Sequence, residues 1–282
     1  MINETNYFEI NNGGLSQSRI KDYLICPNYF YRKNISGELK KEFKKAFQIG
    51  DAVDGLLTRS TEIDNYAVCE EKRTTKAGKA EAAELEFAGK TVISRTDYDT
   101  IVEIADAVAK TDAYKQVLQT YTFQEILEVP MELGEHFNCL YGKPDAYKIN
   151  EDGVCDLLDL KSTITVDERK YFYKFFSFGY NKQLWFYSYL LKSKYPQIKS
   201  FRYWHLAVEK TEPYNVKLFS IPVGNVLACE QEMMETINAI SQDTTFAKYN
   251  PSFSNPTILG SFNNEDSLSR GDWSDGTNND EF

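Results

Sequence analysis

Residues 142–163 read GKPDAYKINEDGVCDLLDLKST, and this stretch is the main evidence for the fold class. Two β-rich runs, 145–149 and 154–160, are separated by a turn that contains Gly153. Because side chains two apart on a strand point to the same face, Asp159 and Lys161 are predicted to lie together. Asp145 begins the neighbouring strand, so we expect two carboxylates and one ammonium group at one end of a sheet.

Such a group of side chains suits phosphodiester hydrolysis. Carboxylate oxygens hold Mg²⁺, which polarises a phosphate and lowers the pKa of a bound water. A nearby ammonium group can orient that water and stabilise charge on the phosphorus. An Asp-x-Lys triplet is nevertheless expected roughly once by chance in a chain of this size, and alone it more often forms a surface salt bridge.

Two further pairs surround this stretch at helical spacing. Downstream, Gln183 and Tyr187 stand four residues apart on a predicted helix and therefore share one face. Upstream, Gly50 and Asp54 have the same spacing; the glycine would permit close approach of the backbone, and the aspartate is a third candidate metal ligand. Each pair alone would be interpreted as a chance arrangement of core or surface residues. All four motifs in this order along the chain are much less easily explained by chance.

In this order the sequence resembles the RecB-like branch of the PD-(D/E)xK nucleases, whose pattern is Gly-x-x-x-His, Gly-x-x-Asp, (Asp/Glu)-x-Lys and Gln-x-x-x-Tyr. It is most similar to the RecE-type (exodeoxyribonuclease VIII-like) exonucleases of phages and prophages. The basic segment 73–79 (RTTKAGK) and the segments 159–163 (DLKST) and 179–183 (GYNKQ) carry that narrower resemblance, which spans residues 15–248. The implied fold class is α/β (α+β), a restriction-endonuclease-like core with a mixed central β-sheet flanked by helices.

The resemblance also implies roles for the central residues. Asp145 and Asp159 would be metal ligands, with the Leu160 carbonyl as an additional one, and Lys161 would be the catalytic lysine. The expected cofactor is Mg²⁺, with Mn²⁺ as the alternative. No nucleotide is expected, because the sequence has no phosphate-binding loop of the Gly-x-x-x-x-Gly-Lys-Ser/Thr type.

Outside the Asp-x-Lys triplet, the resemblance implies that Gln183 and Tyr187 brace the site or touch the DNA backbone. Asp54 stands where the family usually has histidine; aspartate is a good Mg²⁺ ligand, although metal preference would then move from Mn²⁺ towards Mg²⁺. A lost ligand is the alternative interpretation. Glu128 and Glu132 are reserve carboxylates on one predicted strand.

By resemblance, the protein is expected to be an ATP-independent exonuclease that resects double-stranded DNA ends in phage or prophage recombination. The 5′→3′ polarity, a homo-oligomeric ring and a single-strand annealing partner are implied in the same way. Two alternatives stay open: a RecB-like nuclease with another task, such as single-strand cleavage or CRISPR spacer processing, and an inactive DNA-binding or inhibitor protein that keeps the fold.

Weaker signals concern contacts with DNA. Arg73, Lys76 and Lys79 form a basic patch whose plain interpretation is a solvated loop, and whose alternative is a loop that grips phosphates. Arg19, on the first predicted helix, is a candidate for holding a terminal phosphate.

Pattern along the chain predicts one nuclease domain over residues 1–250, with a helical part at 15–120 and a sheet core at 122–250. An acidic, flexible tail is predicted at 251–282. Helices are predicted at 15–33 (opened by Ser16 or Ser18 and interrupted near Cys26-Pro27), 40–58, 80–87, 97–118, 179–195 and 223–248. Strands are predicted at 123–133, 136–141, 145–149, 154–160, 200–209 and 215–221.

Composition excludes several classes of protein. The net charge is -10, but residues 261–282 carry half of it, so the remaining chain is compatible with nucleic acid. Five scattered cysteines without a Cys-x-x-Cys pair argue against a disulfide framework, a zinc ribbon or an iron–sulfur cluster. Two histidines argue against a histidine-rich metal site. No apolar run is long enough for a membrane span, and the N-terminus is not signal-like, so a cytoplasmic protein of a bacterial or phage-infected cell is expected.

Overall fold

The computed structural model describes residues 1–10, 12–39, 45–58, 64–244 and 246, without the side chains of residues 45–48 and 118. Contacts divide the chain into one compact unit, Met1–Lys248, and a second, Tyr249–Phe282, which lies outside the described residues together with the predicted tail. Residues 40–44 of the predicted helix 40–58 lie outside them as well.

Within the described residues the chain forms ten helices and ten strands. The helices are α1 (Gln17–Ile25), α2 (Pro27–Asn34), α3 (Lys45–Thr58), α4 (Lys76–Phe87), α5 (Arg95–Ala109), α6 (Asp112–Thr120), α7 (Glu168–Ser177), α8 (Tyr180–Lys194), α9 (Val223–Leu227) and α10 (Glu230–Gln242). The strands are β1 (Gly14–Leu15), β2 (Tyr66–Cys69), β3 (Thr91–Ser94), β4 (Thr122–Phe123), β5 (Leu127–Leu133), β6 (Phe137–Gly142), β7 (Ala146–Ile149), β8 (Val154–Thr163), β9 (Ser200–Glu209) and β10 (Val216–Ile221).

The main sheet has five strands in the order β10-β9-β8-β7-β4. Strand β8 runs parallel to β9 and antiparallel to β7, which makes the sheet mixed, as predicted. Ten consecutive pairs join β8 to β9, and Asp159 lies opposite His205 in that register. The long parallel pairing fixes which side chains of β9 lie beside the Asp-x-Lys triplet.

The expectation of one central sheet is only partly right. Strands β1, β6 and β5 form a separate three-stranded sheet, and β2 and β3 form a parallel pair. The chain leaves β6 at Gly142 and enters β7 at Ala146, so the three residues between them carry it from one sheet to the other. Asp145 is the last of these residues, so it lies immediately before β7, a strand inside the main sheet, rather than within a strand.

Strand β8 is buried on both faces. Cys155 and Leu157 pack into a core cluster with α8 and α10, while Leu158 and Leu160 pack into a second cluster with α3 and α5. Alternation along the strand then assigns Asp159 and Lys161 to the α8 face.

Helix starts follow the capping rules of the sequence. Ser16, rather than Ser18, caps α1 by accepting a hydrogen bond from the Arg19 backbone N–H, and Pro27 opens α2 directly after the break at Cys26. Thr111 accepts from the Tyr114 N–H and starts α6, so the predicted single helix 97–118 is in fact α5 and α6.

Other predicted boundaries were also wrong. The predicted helix 223–248 is divided into α9 and α10 and ends at Gln242, and the predicted helix 80–87 begins earlier, at Lys76, because Thr75 caps it. The predicted strand 123–133 is divided into β4 and β5, and strands β1, β2 and β3 and helix α7 were not predicted. Within the described residues, no helix combines the length and apolar character that a membrane crossing needs.

Candidate active site

The predicted centre forms where β8 leaves the core. Asp159 is 1% exposed, Lys161 is 15% exposed, and the Lys161 ammonium forms an ion pair with Asp159 Oδ2. Apart from this contact, neither carboxylate oxygen of Asp159 has a hydrogen-bond partner among the described residues. Burying a carboxylate oxygen without a hydrogen-bond partner costs free energy of folding, and such an oxygen is a typical feature of a ligand site.

Asp145 approaches the same point from the start of β7. Its Oδ2 accepts a hydrogen bond from the Leu160 backbone N–H at 2.7 Å, and its Oδ1 accepts one from Gln124 Nε2 at 3.2 Å. Gln124 itself has a positive φ of 50°, and its backbone N–H donates to the Asp145 carbonyl at 3.2 Å. The Asp145 carboxylate is therefore held from both sides and directed at β8.

Asp54 comes from the other side of the sheet, on α3. Gly50, one turn earlier, lies so close to β8 that a Cβ atom there would be 2.9 Å from Ser162 Oγ. The glycine therefore does permit close backbone approach, as the sequence suggested. Burial and the charge of Asp145 raise the pKa of Asp54 well above its usual value, with a further contribution from Asp159.

The remaining pKa shifts describe one electrostatic unit. Burial and the charge of Asp159 raise the pKa of Asp145 to about 7, even though Lys161 opposes the shift. Burial also raises the pKa of Asp159, and Lys161 again opposes it. Burial alone would lower the pKa of Lys161, but Asp159 and Asp145 outweigh it and raise that pKa well above the usual value. Excess negative charge is thus concentrated around one ammonium group.

Gln183 and Tyr187 line the wall that α8 presents to this unit. Gln183 Nε2 donates to Tyr187 Oη at 3.2 Å, as their spacing on one helix face allows. Burial and the charges of Asp145 and Asp159 raise the pKa of Tyr187, which remains a neutral phenol. A Cβ atom at Gly142 would lie 3.0 Å from the Tyr187 ring, so this motif glycine lets α8 approach β6.

Sequence reasoning missed His205, which is fully buried behind Asp159. Its Nε2 lies 3.9 Å from Asp159 Oδ2, and its Nδ1 shares a 2.9 Å hydrogen bond with Tyr171 Oη. Burial and the nearby Lys161 charge lower the pKa of His205 well below its usual value, so the ring is neutral. Tyr180, also missed, lies with its ring centroid 5.0 Å from Lys161 Nζ.

The site has the donor chemistry that a hard divalent cation requires. Asp54, Asp145 and Asp159 supply carboxylate oxygens, one of them buried and unused, and the pKa of each is raised, mainly by burial. Among the described residues, however, no three His, Cys, Asp or Glu side chains form a metal cluster as they stand. Lys161 takes one Asp159 oxygen and the Leu160 N–H takes one Asp145 oxygen, so a bound cation would have to displace or share these partners.

Two arginines that the sequence suggested as DNA contacts have hydrogen-bond or ion-pair partners within the protein. Arg19 is buried and donates to the carbonyls of Gly14 and Glu9, so its guanidinium fixes the N-terminal segment, and we do not retain it as a phosphate ligand. Arg73 pairs with Glu86 at 3.0 Å.

The rest of the basic patch and the reserve carboxylates can be placed in the same way. Lys76 and Lys79 are exposed on α4, and their contact with DNA stays a prediction. Glu128 accepts a hydrogen bond from the Ile2 backbone N–H at 2.6 Å, and a register irregularity separates it from Glu132. Neither glutamate takes part in the contacts of the Asp159–Lys161 pair.

Comparison with known proteins supports this fold. A family model described as a PDDEXK-like domain of unknown function (DUF3799) matches residues 16–249. The crystal structure of a provisionally named exonuclease from Eubacterium rectale is similar, with a TM-score of 0.60 and 15% identity over 96% of this chain and 99% of that one. A structure of SSO0001 reaches a TM-score of only 0.30 with 9% identity over 66% of this chain and 84% of that one, and carries no argument. No curated protein matches significantly.

A mixed sheet whose central strand carries a carboxylate and a lysine, with a second carboxylate just before the neighbouring strand, is the arrangement of the PD-(D/E)xK class of α/β folds. Within that class, the chain belongs to the family of PDDEXK-like domains described as DUF3799.

Proposed function

We propose that this protein is a Mg²⁺-dependent deoxyribonuclease that hydrolyses double-stranded DNA from its ends. The observation that carries the proposal is the contact of Lys161 with Asp159, beside the fixed Asp145 carboxylate and Asp54. Membership of the PDDEXK-like family supports the same reaction class. Polarity (5′→3′), a role in phage or prophage recombination, homo-oligomerisation, an annealing partner and a cytoplasmic location belong to the proposal through the resemblance alone.

The carboxylates have one role and the lysine another. Asp145 and Asp159, with Asp54 and the Leu160 carbonyl, would hold the ion, which when bound supplies positive charge to the phosphate and acidifies a water molecule. Lys161 stays protonated because Asp159 and Asp145 raise its pKa, so its ammonium group would donate hydrogen bonds to a phosphate oxygen or orient the attacking water.

The surrounding groups set geometry. Gln124 and the Leu160 N–H fix the two oxygens of Asp145, and the Gln183–Tyr187 hydrogen bond stiffens the α8 wall. Tyr180 lies against the Lys161 ammonium, where its ring limits the directions the ammonium can take. Small displacements of such groups are costly because catalysis by positioning depends on their alignment.

An assay of substrate topology tests this proposal. Purified protein is incubated with end-labelled linear duplex, closed circular duplex and single-stranded DNA in Mg²⁺, in Mn²⁺ and in a chelator. We expect the linear duplex to lose its label in Mg²⁺ while closed circles persist. Degradation of closed circles would contradict action from ends, and absence of hydrolysis in both metals would leave the protein a DNA binder that keeps the fold.

A further inference from the structure

Helix α7 presents an exposed aromatic face next to the catalytic strand. We define the α7 aromatic patch as Phe172, Tyr173, Phe176 and Phe178, which are 52%, 44%, 38% and 37% exposed. Among the described residues, these are four of the seven Phe and Tyr side chains with such exposure, and they fall within seven consecutive positions. A concentrated apolar surface of this kind marks a binding site in a soluble protein.

The patch is not a misplaced part of the core. The opposite face of α7 is already buried through Tyr171, which stacks on Phe219 with centroids 4.3 Å apart, and through Phe175, whose ring lies 5.5 Å from that of His205. Phe172 and Phe176 contact each other edge to face at 5.2 Å on the outer surface. The helix is therefore anchored through its inner face, and the Phe172 and Phe176 rings lie on its outer surface.

Positive charge surrounds these rings, although the whole chain is acidic. Arg169 and Lys170 are exposed on the same helix, and Lys174 Nζ lies 5.0 Å from the Phe178 ring centroid. The one acidic residue of α7, Glu168, is paired with Lys217 at 2.6 Å. Aromatic rings between basic side chains suit a polyanion with exposed bases better than an apolar protein surface.

The patch leads directly to the catalytic lysine. The Phe178 ring stacks on Tyr180 with centroids 5.9 Å apart, and Tyr180 in turn lies against Lys161 Nζ at 5.0 Å. Lys21 Nζ donates to the Phe178 carbonyl at 3.3 Å. Burial lowers the pKa of Lys21; the charge of Asp22 opposes this shift, and the charges of Lys161, Lys33 and Lys182 add to it.

We propose that the α7 aromatic patch is a stacking platform for an unpaired DNA strand that leads to Lys161. The bases would stack on the patch, and Arg169, Lys170, Lys174 and Lys21 would contact the phosphates. An unpaired strand is favoured over duplex because paired bases keep their faces inside the helix, where protein rings cannot stack on them. The proposal rests on the proposed nuclease function, since it names the form of DNA that the site receives.

Binding measured without hydrolysis tests this surface independently. Fluorescence anisotropy in a chelator compares the full chain with the double variant Phe172→Ala/Phe176→Ala on a labelled oligo-dT strand and on a blunt duplex. We expect the double variant to bind oligo-dT about 10- to 100-fold more weakly, as loss of stacked bases does elsewhere, with duplex affinity changed less than about twofold. The matched control is Phe87→Ala on α4, because Phe87 is 94% exposed and lies outside the patch.

Two further variants keep the result interpretable. Phe172→Trp/Phe176→Trp retains stacking rings and should restore oligo-dT binding. Arg169→Gln/Lys170→Gln should weaken binding and flatten its dependence on salt. Equal oligo-dT affinity in the alanine double variant and Phe87→Ala would overturn the proposal. A change of oligomeric state with unchanged affinity would also overturn it, because the patch would then join copies of the chain. Hydrolysis is scored separately, so an inactive protein that still needs the patch for binding contradicts only the nuclease proposal.

Discussion

At the level of single residues, the sequence allowed Asp159 and Lys161 to be placed together, but it did not predict that His205 lies behind Asp159. The spacing of Asp159 and Lys161 placed them on one face because strand parity is a local property. His205 joins them only through the parallel register of β8 and β9, and nothing local in the sequence specifies that register. Gln124 was missed for a similar reason, since its contact with Asp145 spans twenty-one positions.

His205 is expected to act as a positioning residue for Asp159. Replacing it with alanine removes the ring 3.9 Å from Asp159 Oδ2 and its link to Tyr171. We expect His205→Ala to lower kcat about 10- to 100-fold and to raise the Mg²⁺ concentration for half-maximal rate, with the KM for DNA little changed. The other histidine, His136, is exposed and supplies the control His136→Ala. Identical kcat and Mg²⁺ requirement in the two variants would contradict a positioning role.

Asp145 gives a prediction about stability and pH. Its pKa is about 7 in the folded state, above the unfolded value of 3.8, so the folded state holds its proton more tightly. The free energy of unfolding therefore falls as pH rises from about 4 to about 7, and the cost is fully present above that range. We expect Asp145→Asn, without metal, to have a higher Tm than the wild type at pH 8 and a smaller difference at pH 5, by roughly 2–4 °C for each kcal/mol recovered.

Asp156, on the same strand as Asp159, provides a matched control for which the expected change in Tm has the opposite sign. Asp156 is buried on the other face of β8, and although burial would raise its pKa, hydrogen bonds from Arg202, Asn150 and Trp204 lower it. Asp156→Asn should therefore lower Tm at pH 8. If Asp145→Asn also lowered Tm at pH 8, the electrostatic description of the site would be wrong.

At the level of elements, local signals predicted the pieces that carry the site, and tertiary context decided the rest. Helix α8 and the β7–β8 hairpin were predicted, the hairpin from its Gly-containing turn. Helix α7 was not predicted, although Asp167 caps its start and its buried residues Tyr171 and Phe175 stand four positions apart, as on one helix face.

The close approach of α3 to β8 gives a prediction at this scale. Two substitutions at Gly50 separate the effect of helix propensity from the effect of packing. Gly50→Ala requires only a small movement of Ser162 Oγ, whereas Gly50→Leu requires α3 to move. Because Asp54 lies one turn further along the helix, we expect hydrolysis to fall at least tenfold in Gly50→Leu and only modestly in Gly50→Ala.

Gly224 on α9 is the matched helical glycine, since a Cβ atom there meets nothing within 4 Å. Gly224→Leu should leave both the rate and the Tm close to wild type. A Gly50→Leu variant that hydrolyses DNA at the wild-type rate would show that the position of Asp54 does not depend on this contact.

At the level of the whole molecule, charge is organised rather than uniform. The net charge of -10 would by itself argue against a DNA-binding protein. Half of it lies in residues 261–282, outside the described part of the chain, while Arg169, Lys170 and Lys174 lie together along α7. Composition therefore bounds the class of protein only loosely, and the distribution along the chain is more informative than the total.

The PD-(D/E)xK superfamily and fold were predictable from the ordered motifs, whereas the arrangement of sheets was not. Residues 142–145 read as the approach to a strand, and in the structure they also pass from one sheet to the other. Gly142 lets the chain pass close to Tyr187, and Asp145 then lies just before β7, where the Leu160 N–H holds its carboxylate towards β8. The sequence alone could not distinguish this from a single continuous meander, because both need the same turn residues.

The most direct test of the central claim compares two buried aspartates of one strand. Metal-dependent hydrolysis of an end-labelled linear duplex is measured for wild type, Asp159→Asn, Lys161→Ala and Asp156→Asn, at a temperature where circular dichroism shows all four folded. The predicted result is a loss of at least about a hundredfold in kcat for Asp159→Asn and Lys161→Ala, with Asp156→Asn close to wild type. Hydrolysis that survives in Lys161→Ala, or that falls equally in Asp156→Asn and Asp159→Asn, would contradict the assignment of this site as the active site.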